Sequence, residues 1–244
     1  MVDADVTGQG IGPHEDEPHE QGFNDRLNWL RASVLGANDG IVSTAGIVLG
    51  VAGATSERSA ILVAGIAGLA AGAMSMAAGE YVSVSTQRDS EEALLAKERR
   101  ELREDPDDEL AELAGLYVDK GLDPDLALQV AQQLTAKDAL AAHAEVELGI
   151  DPDDLTSPWR AAFASMLSFT VGALLPLLTI VLVTADARVP VTVVAVVAAL
   201  VLTGWLSARF GYGSPGRAVL RNVIGGLLAM AVTHGIGQLV GTQV

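Results

Sequence analysis

The sequence predicts an all-α membrane protein: five transmembrane helices, with a three-helix water-facing domain inserted between spans two and three. Three observations lead there. Five runs are apolar and long enough to cross a hydrocarbon core of about 30 Å. Half of the 244 residues are hydrophobic, yet only 4% are aromatic and 26 are Gly. Such a palette suits closely packed membrane helices better than a soluble core. Finally, the formal net charge of -16 is segregated, its acidic residues lying mainly before Trp29 and between Asp89 and Asp154.

The same composition excludes several functions. Nucleic acid is excluded, because phosphate binding needs clustered Lys and Arg. With no cysteine, thiolate zinc sites, iron–sulfur clusters and disulfides are excluded too. The N-terminus shows no basic segment followed by an apolar one, so insertion is expected to rely on the first span itself.

Residues 1–25 are rich in Gly, Asp, Glu, His and Pro and read as a disordered acidic tail. His14 and His19 lie there among carboxylates, as weak metal ligands or as part of a solvated tail. Spans one and two occupy 26–87. The first runs from Trp29 to Thr55 and carries one interior carboxylate, Asp39. A charge inside a span costs roughly 2.5–3.5 kcal/mol on insertion scales and usually faces a partner, a cavity or a pathway. Gly36, Gly40, Gly46 and Gly50 line parts of one face, where small residues let another helix approach. Asp39 is therefore expected where helices meet, either holding them together or moving an ion or proton. The second span, Ala60 to Gly79, is about 30 Å long as a helix. It is followed by Glu80 with no break, so this helix is expected to project into water. Met74 and Met76 near its end suit packing or soft ligation.

Residues 88–156 change character: charged, with Ala and Leu at helical spacing. Breaks at Asp105-Pro106, Gly121, Asp123-Pro124 and Gly149 divide the segment into helices of about 88–104, 106–120 and 124–148. Asp105 and Asp123 are the expected N-caps, with proline in the first turn. Glu98 and Glu101, Glu109 and Glu112, and His143 and Glu147 each share one helix face. Brought together, these faces would hold a divalent ion such as Fe²⁺ or Mn²⁺. A merely solvated acidic surface gives the same spacing.

Residues 157–244 hold spans three to five, at about 159–184, 190–209 and 218–241. Pro176 interrupts the hydrogen-bond ladder of the third. His234, deep in the fifth, reads as a hydrogen-bonded packing residue. All basic residues except Arg58 and Arg188 fall on the side of the N-terminus and the 88–156 segment. Positive-inside orientation puts that side in the cytosol and the C-terminus opposite, in the cell membrane if the source is prokaryotic.

Two motifs carry a resemblance. Gly36-Ala-Asn38-Asp39-Gly40-Ile-Val-Ser43-Thr44 and Ser75-Met76-Ala-Ala-Gly79-Glu80-Tyr81-Val-Ser83 are similar to signatures of the vacuolar iron transporter family. Tyr117-Val-Asp-Lys-Gly121-Leu and Glu147-Leu-Gly149-Ile resemble its soluble domain. The resemblance covers about residues 26–241. It implies a homodimeric divalent-metal/proton antiporter that removes Fe²⁺, or Mn²⁺, from the cytosol, with no permanent cofactor and no enzymatic activity. Asp39 and Met76 would line the pathway between protomers, and Glu80 would pass the ion inward from the cytosolic end. A cytosolic metal-binding domain would use Glu98, Glu101, Glu109, Glu112 and Glu147. Where many members carry two Met residues, this chain has His143 and Ala144; His143 can replace one ligand and Ala144 cannot. Two other classes stand beside this one. A membrane-anchored metal buffer or sensor would have no need of Asp39. A di-iron oxidase would want Glu-x-x-His pairs from two helices, which the segment lacks.

Overall fold

The computed structural model describes residues 23–153 and 155–241, with side chains from Ser33 onward. The expected acidic tail with His14 and His19, and the side chains of Arg26 and Arg31, lie outside the described residues. Among the described residues seven α-helices follow one another: α1 Phe23–Ala54, α2 Arg58–Glu104, α3 Pro106–Asp119, α4 Pro124–His143, α5 Pro158–Leu182, α6 Arg188–Phe210 and α7 Pro215–Gly241. A π-helical turn, Ala144–Leu148, extends α4. Among the described residues there is no strand, and α1, α2, α5, α6 and α7 are long and apolar enough to cross a membrane.

α1 is the central helix of the membrane part, packed against α5 and α7 most extensively and against α2 and α6 as well. Its glycine stripe explains this. Gly36 and Gly40 face α5, where a Cβ on Gly40 would collide with the backbone carbonyl of Phe169. Gly172 of α5 meets the Ala37 carbonyl in the same way. Gly46 and Gly50 instead face Thr233 of α7. The stripe thus serves two neighbours: α5 at Gly36 and Gly40, which flank Asp39, and α7 at Gly46 and Gly50 further along the helix. The core beneath it joins Val48 and Leu49 to Ile61, Ile180, Leu200 and Met230. His234 makes a 2.9 Å hydrogen bond from its Nδ1 side to the Leu49 carbonyl, the packing role expected of it.

α2 is one unbroken helix of 47 residues. The separate helix expected at 88–104 is its continuation beyond the membrane, as the absence of a breaker at Glu80 implied. Where the span ends, Tyr81 packs against Trp159 of α5 in a tilted pair with ring centroids 4.8 Å apart, an aromatic pair of the kind found at membrane borders. The far end of α2 packs with α3, α4 and the π turn. Leu113, Ala131 and Ala142 form the small core there. Asp123 caps α4 through its side chain, which accepts from the Asp125 N–H at 3.1 Å. Asp105 occupies the cap position of α3 without a side-chain cap bond.

α4 is less regular than its sequence suggests. Asp138 adopts extended backbone angles inside it, and its carboxylate accepts from the Ala141 N–H at 3.0 Å. That is N-cap chemistry, so a fresh helical segment starts there and carries His143. The π turn follows at once and closes on Gly149, whose φ of 65° is the left-handed conformation glycine favours.

Candidate functional site

Two sites emerge, one in the helical segment between spans two and three and one in the membrane. In the first, α2 contributes Glu98, α3 contributes Glu109, and the end of α4 contributes His143. One ligand atom from each falls within 4.8 Å of the others. His143 is completely buried, while Glu98 and Glu109 are only 3% and 8% exposed. His143 Nδ1 lies 2.9 Å from Glu98 Oε1, 3.6 Å from Glu109 and 3.7 Å from Glu147. The π turn places Glu147 here, one wide helical turn after His143.

The electrostatics of this cluster are unfavourable as it stands. Burial first, then the neighbouring carboxylates of Glu147, Glu109 and Glu101, push the Glu98 carboxyl up to about 7. Burial and Glu112 likewise raise Glu109, with His143 acting in the opposite sense. Both ring nitrogens of His143 and Oε1 of Glu98 are buried without a directed hydrogen bond. Buried polar atoms are nearly always paired. Nitrogen and oxygen atoms converging from three helices, three of them without a directed hydrogen bond, fit a divalent cation, whose charge would offset the crowding of carboxylates.

Six residues were expected at this site. Glu98, Glu109 and His143 form its buried centre and Glu147 its partly open edge. Glu101 is held by Lys97 at 2.7 Å, and Glu112 is exposed. These two bear on the centre through their charge.

The membrane site is a groove of about 500 Å³ whose walls include Asn38, Asp39 and Val42 of α1, Met76 of α2, and Arg221 and Asn222 of α7. Asp39 and Met76 come from the two separate motifs and meet here. Asn38 Oδ1 is buried with no partner. Ser43 donates to the backbone carbonyl of Asp39 at 2.6 Å, and among the described residues nothing hydrogen-bonds the carboxylate. Oxygen and thioether donors in one groove suit a borderline divalent ion. Glu80 lies one turn beyond Met76, half-buried, and is not among the lining residues. Arg221 and Asn222 were not foreseen in the groove. The only signal for Arg221 was its position at the start of the last span.

Fold and sites define an all-helical, multi-pass membrane protein with a buried carboxylate–imidazole cluster outside its spans and a carboxylate–thioether groove within them. The VIT family model matches residues 30–238, and the chain belongs to that family. It is 42% identical to the "Vacuolar iron transporter" of Acanthamoeba castellanii over 94% of this chain and 85% of that one. It is 38% identical to "Vacuolar iron transporter homolog 2.1" of Arabidopsis thaliana, over 93% of this chain and 88% of the relative. "Vacuolar iron transporter homolog 4" of the same plant is 36% identical, over 91% and 88%.

Proposed function

We propose that this protein is a metal transporter that exports Fe²⁺ or Mn²⁺ from the cytosol in exchange for protons, working as a homodimer. The observation that carries the reading is the groove: Asp39 and Met76, from different helices and distant motifs, line one cavity inside the membrane part. The names of the relatives support iron as cargo. Residues 88–156 act as the cytosolic collecting domain, with Glu98, Glu109, His143 and Glu147 as the principal ligands and Glu101 and Glu112 adding negative charge at the approach.

The steps follow from the donors. A cation gathered in the domain moves along α2 to the border of its membrane span, past Glu80, and enters the groove. There the Asp39 carboxylate, the Asn38 amide oxygen and the Met76 sulfur replace part of its hydration. A proton arriving from the opposite side neutralises Asp39 and weakens its hold, so the ion leaves as the proton enters. Water exclusion strengthens each of these contacts.

The same groove supports the dimer in this reading. Asp39 is exposed on the surface of the single chain, and an exposed carboxylate in a span cannot face lipid tails. A second copy over the groove would cover it and complete the pathway. Metal-driven proton flux in liposomes containing the purified protein tests the reading. A membrane-anchored buffer would bind metal through the cluster alone and move neither ion.

A further inference from the structure

At the end of α6 and the beginning of α7 lies a second polar cavity, of about 360 Å³, lined by Ser207, Gly211, Gly213, Ser214, Arg217 and Arg221. It sits on the same membrane face as the helical domain, because α5 leaves that domain and α6 returns to its side. Nothing in the transport reading uses Arg217, Ser207 or Ser214.

Charge sets the place apart. In a chain with 31 acidic residues, none occurs between Ala187 and Val244. Arg209, Arg217 and Arg221 cluster at this corner, and Arg217 and Arg221 have no acidic partner among the described residues. Depth is marked independently. Trp205, Phe210 and Tyr212 are 48%, 54% and 75% exposed, as aromatic side chains are at the level of lipid headgroups.

We propose that this pocket binds the phosphate of an anionic lipid headgroup. Two guanidinium groups present forked donors that match phosphate oxygens, and Ser207 and Ser214 add hydroxyl donors. Exposed rings beside the pocket supply apolar surface for the glycerol and upper acyl chain. A zwitterionic lipid is a poorer ligand, since its own ammonium competes with the arginines for the phosphate. Free phosphate offers the same anionic chemistry but gains nothing from the aromatic surface. Arg221 lines both this pocket and the Asp39 groove, so a lipid held here engages a side chain of the transport cavity.

The test uses full-length purified protein in detergent, titrated calorimetrically with short-chain phosphatidylglycerol, short-chain phosphatidylcholine and inorganic phosphate. Phosphatidylglycerol should bind at least about tenfold more tightly than either of the others. Arg217→Gln should weaken it by about tenfold, and Arg217→Lys should recover only part of that loss, because the charge returns but the forked donor does not. An unchanged melting temperature for Arg217→Gln without lipid would show that the loss is local. Equal affinity for phosphatidylglycerol and inorganic phosphate would overturn the assignment to lipid. Wild-type affinity in Arg217→Gln would remove the pocket as the site. These are binding readouts, so they stand or fall separately from transport.

Discussion

His143 and Glu98 face each other at the buried centre of the helical domain, imidazole Nδ1 to carboxylate Oε1 at 2.9 Å, with neither atom in a directed hydrogen bond. The pair joins the end of α4 to the far end of α2, and Glu109 of α3 completes it. A buried carboxylate beside other carboxylates is costly in its charged form. A divalent cation would turn that cost into affinity.

A pH dependence follows from Glu98. Its carboxyl is raised to about 7, above the ordinary value of about 4.3. The metal-free protein therefore keeps this contribution to stability below about pH 4.3 and loses it as pH climbs through about 7. Glu98→Gln should remove that pH-dependent loss. Bound metal requires the ionised form, so Mn²⁺ affinity should rise from about pH 6 to about pH 8 in the wild type and change less in Glu98→Gln. Melting temperature in chelator and calorimetric affinity across that range measure the two halves. Superimposable profiles for wild type and Glu98→Gln would remove Glu98 from the site.

His143 supplies the nitrogen donor. His143→Gln retains a polar side chain of similar size, yet should weaken Mn²⁺ binding tenfold or more, since even outer-shell changes at metal sites cost about 10–100-fold. His143→Met should keep the fold and favour Fe²⁺ relative to Mn²⁺, because thioether is the softer ligand. Competition titrations between the two ions would show the shift. Unchanged affinity in His143→Gln would reduce His143 to packing.

Much of this architecture is legible in the sequence, and the limits have a physical cause. Hydropathy locates all five spans, because every backbone polar group in lipid must be satisfied within a helix. Asp105-Pro106 and Asp123-Pro124 mark the starts of α3 and α4 because proline suits a first turn. Helical spacing identifies which residues share a face, but it says nothing of the rotation of one helix against another. Glu101 and Glu112 therefore looked equivalent to Glu98 and Glu109, and only packing separates them. Likewise the kink at Asp138 and the π turn fall where the sequence reads as one plain helix. Arg221 enters the groove through the crossing of α7 over α1, a contact between residues far apart in the chain.

Glycine substitutions should separate close helix crossings from mere helix content. Gly40→Ala would drive a methyl into the Phe169 carbonyl, and overpacking of this kind costs roughly 1–3 kcal/mol or more. Gly115 of α3 has nothing within 4 Å of the added carbon. Gly115→Ala should instead stabilise by about 0.5–1 kcal/mol through backbone entropy. Thermal melting of the purified variants should move in opposite directions; a Gly40→Ala melting point at or above wild type would contradict the crossing of α1 and α5.

Coupled transport in this reading rests on Asp39, which exchanges a metal ion for a proton in the membrane groove. The most direct measurement places purified wild type and Asp39→Asn in liposomes with a metal-sensing and a pH-sensing dye inside. In the wild type, an imposed Fe²⁺ or Mn²⁺ gradient should move metal one way and protons the other. Asn keeps the size of Asp39 and a hydrogen-bonding group, so the variant should fold, retain metal binding in the helical domain, and lose both fluxes. Metal-driven proton movement at the wild-type rate in Asp39→Asn would contradict the claim, as would wild-type metal flux with no accompanying protons.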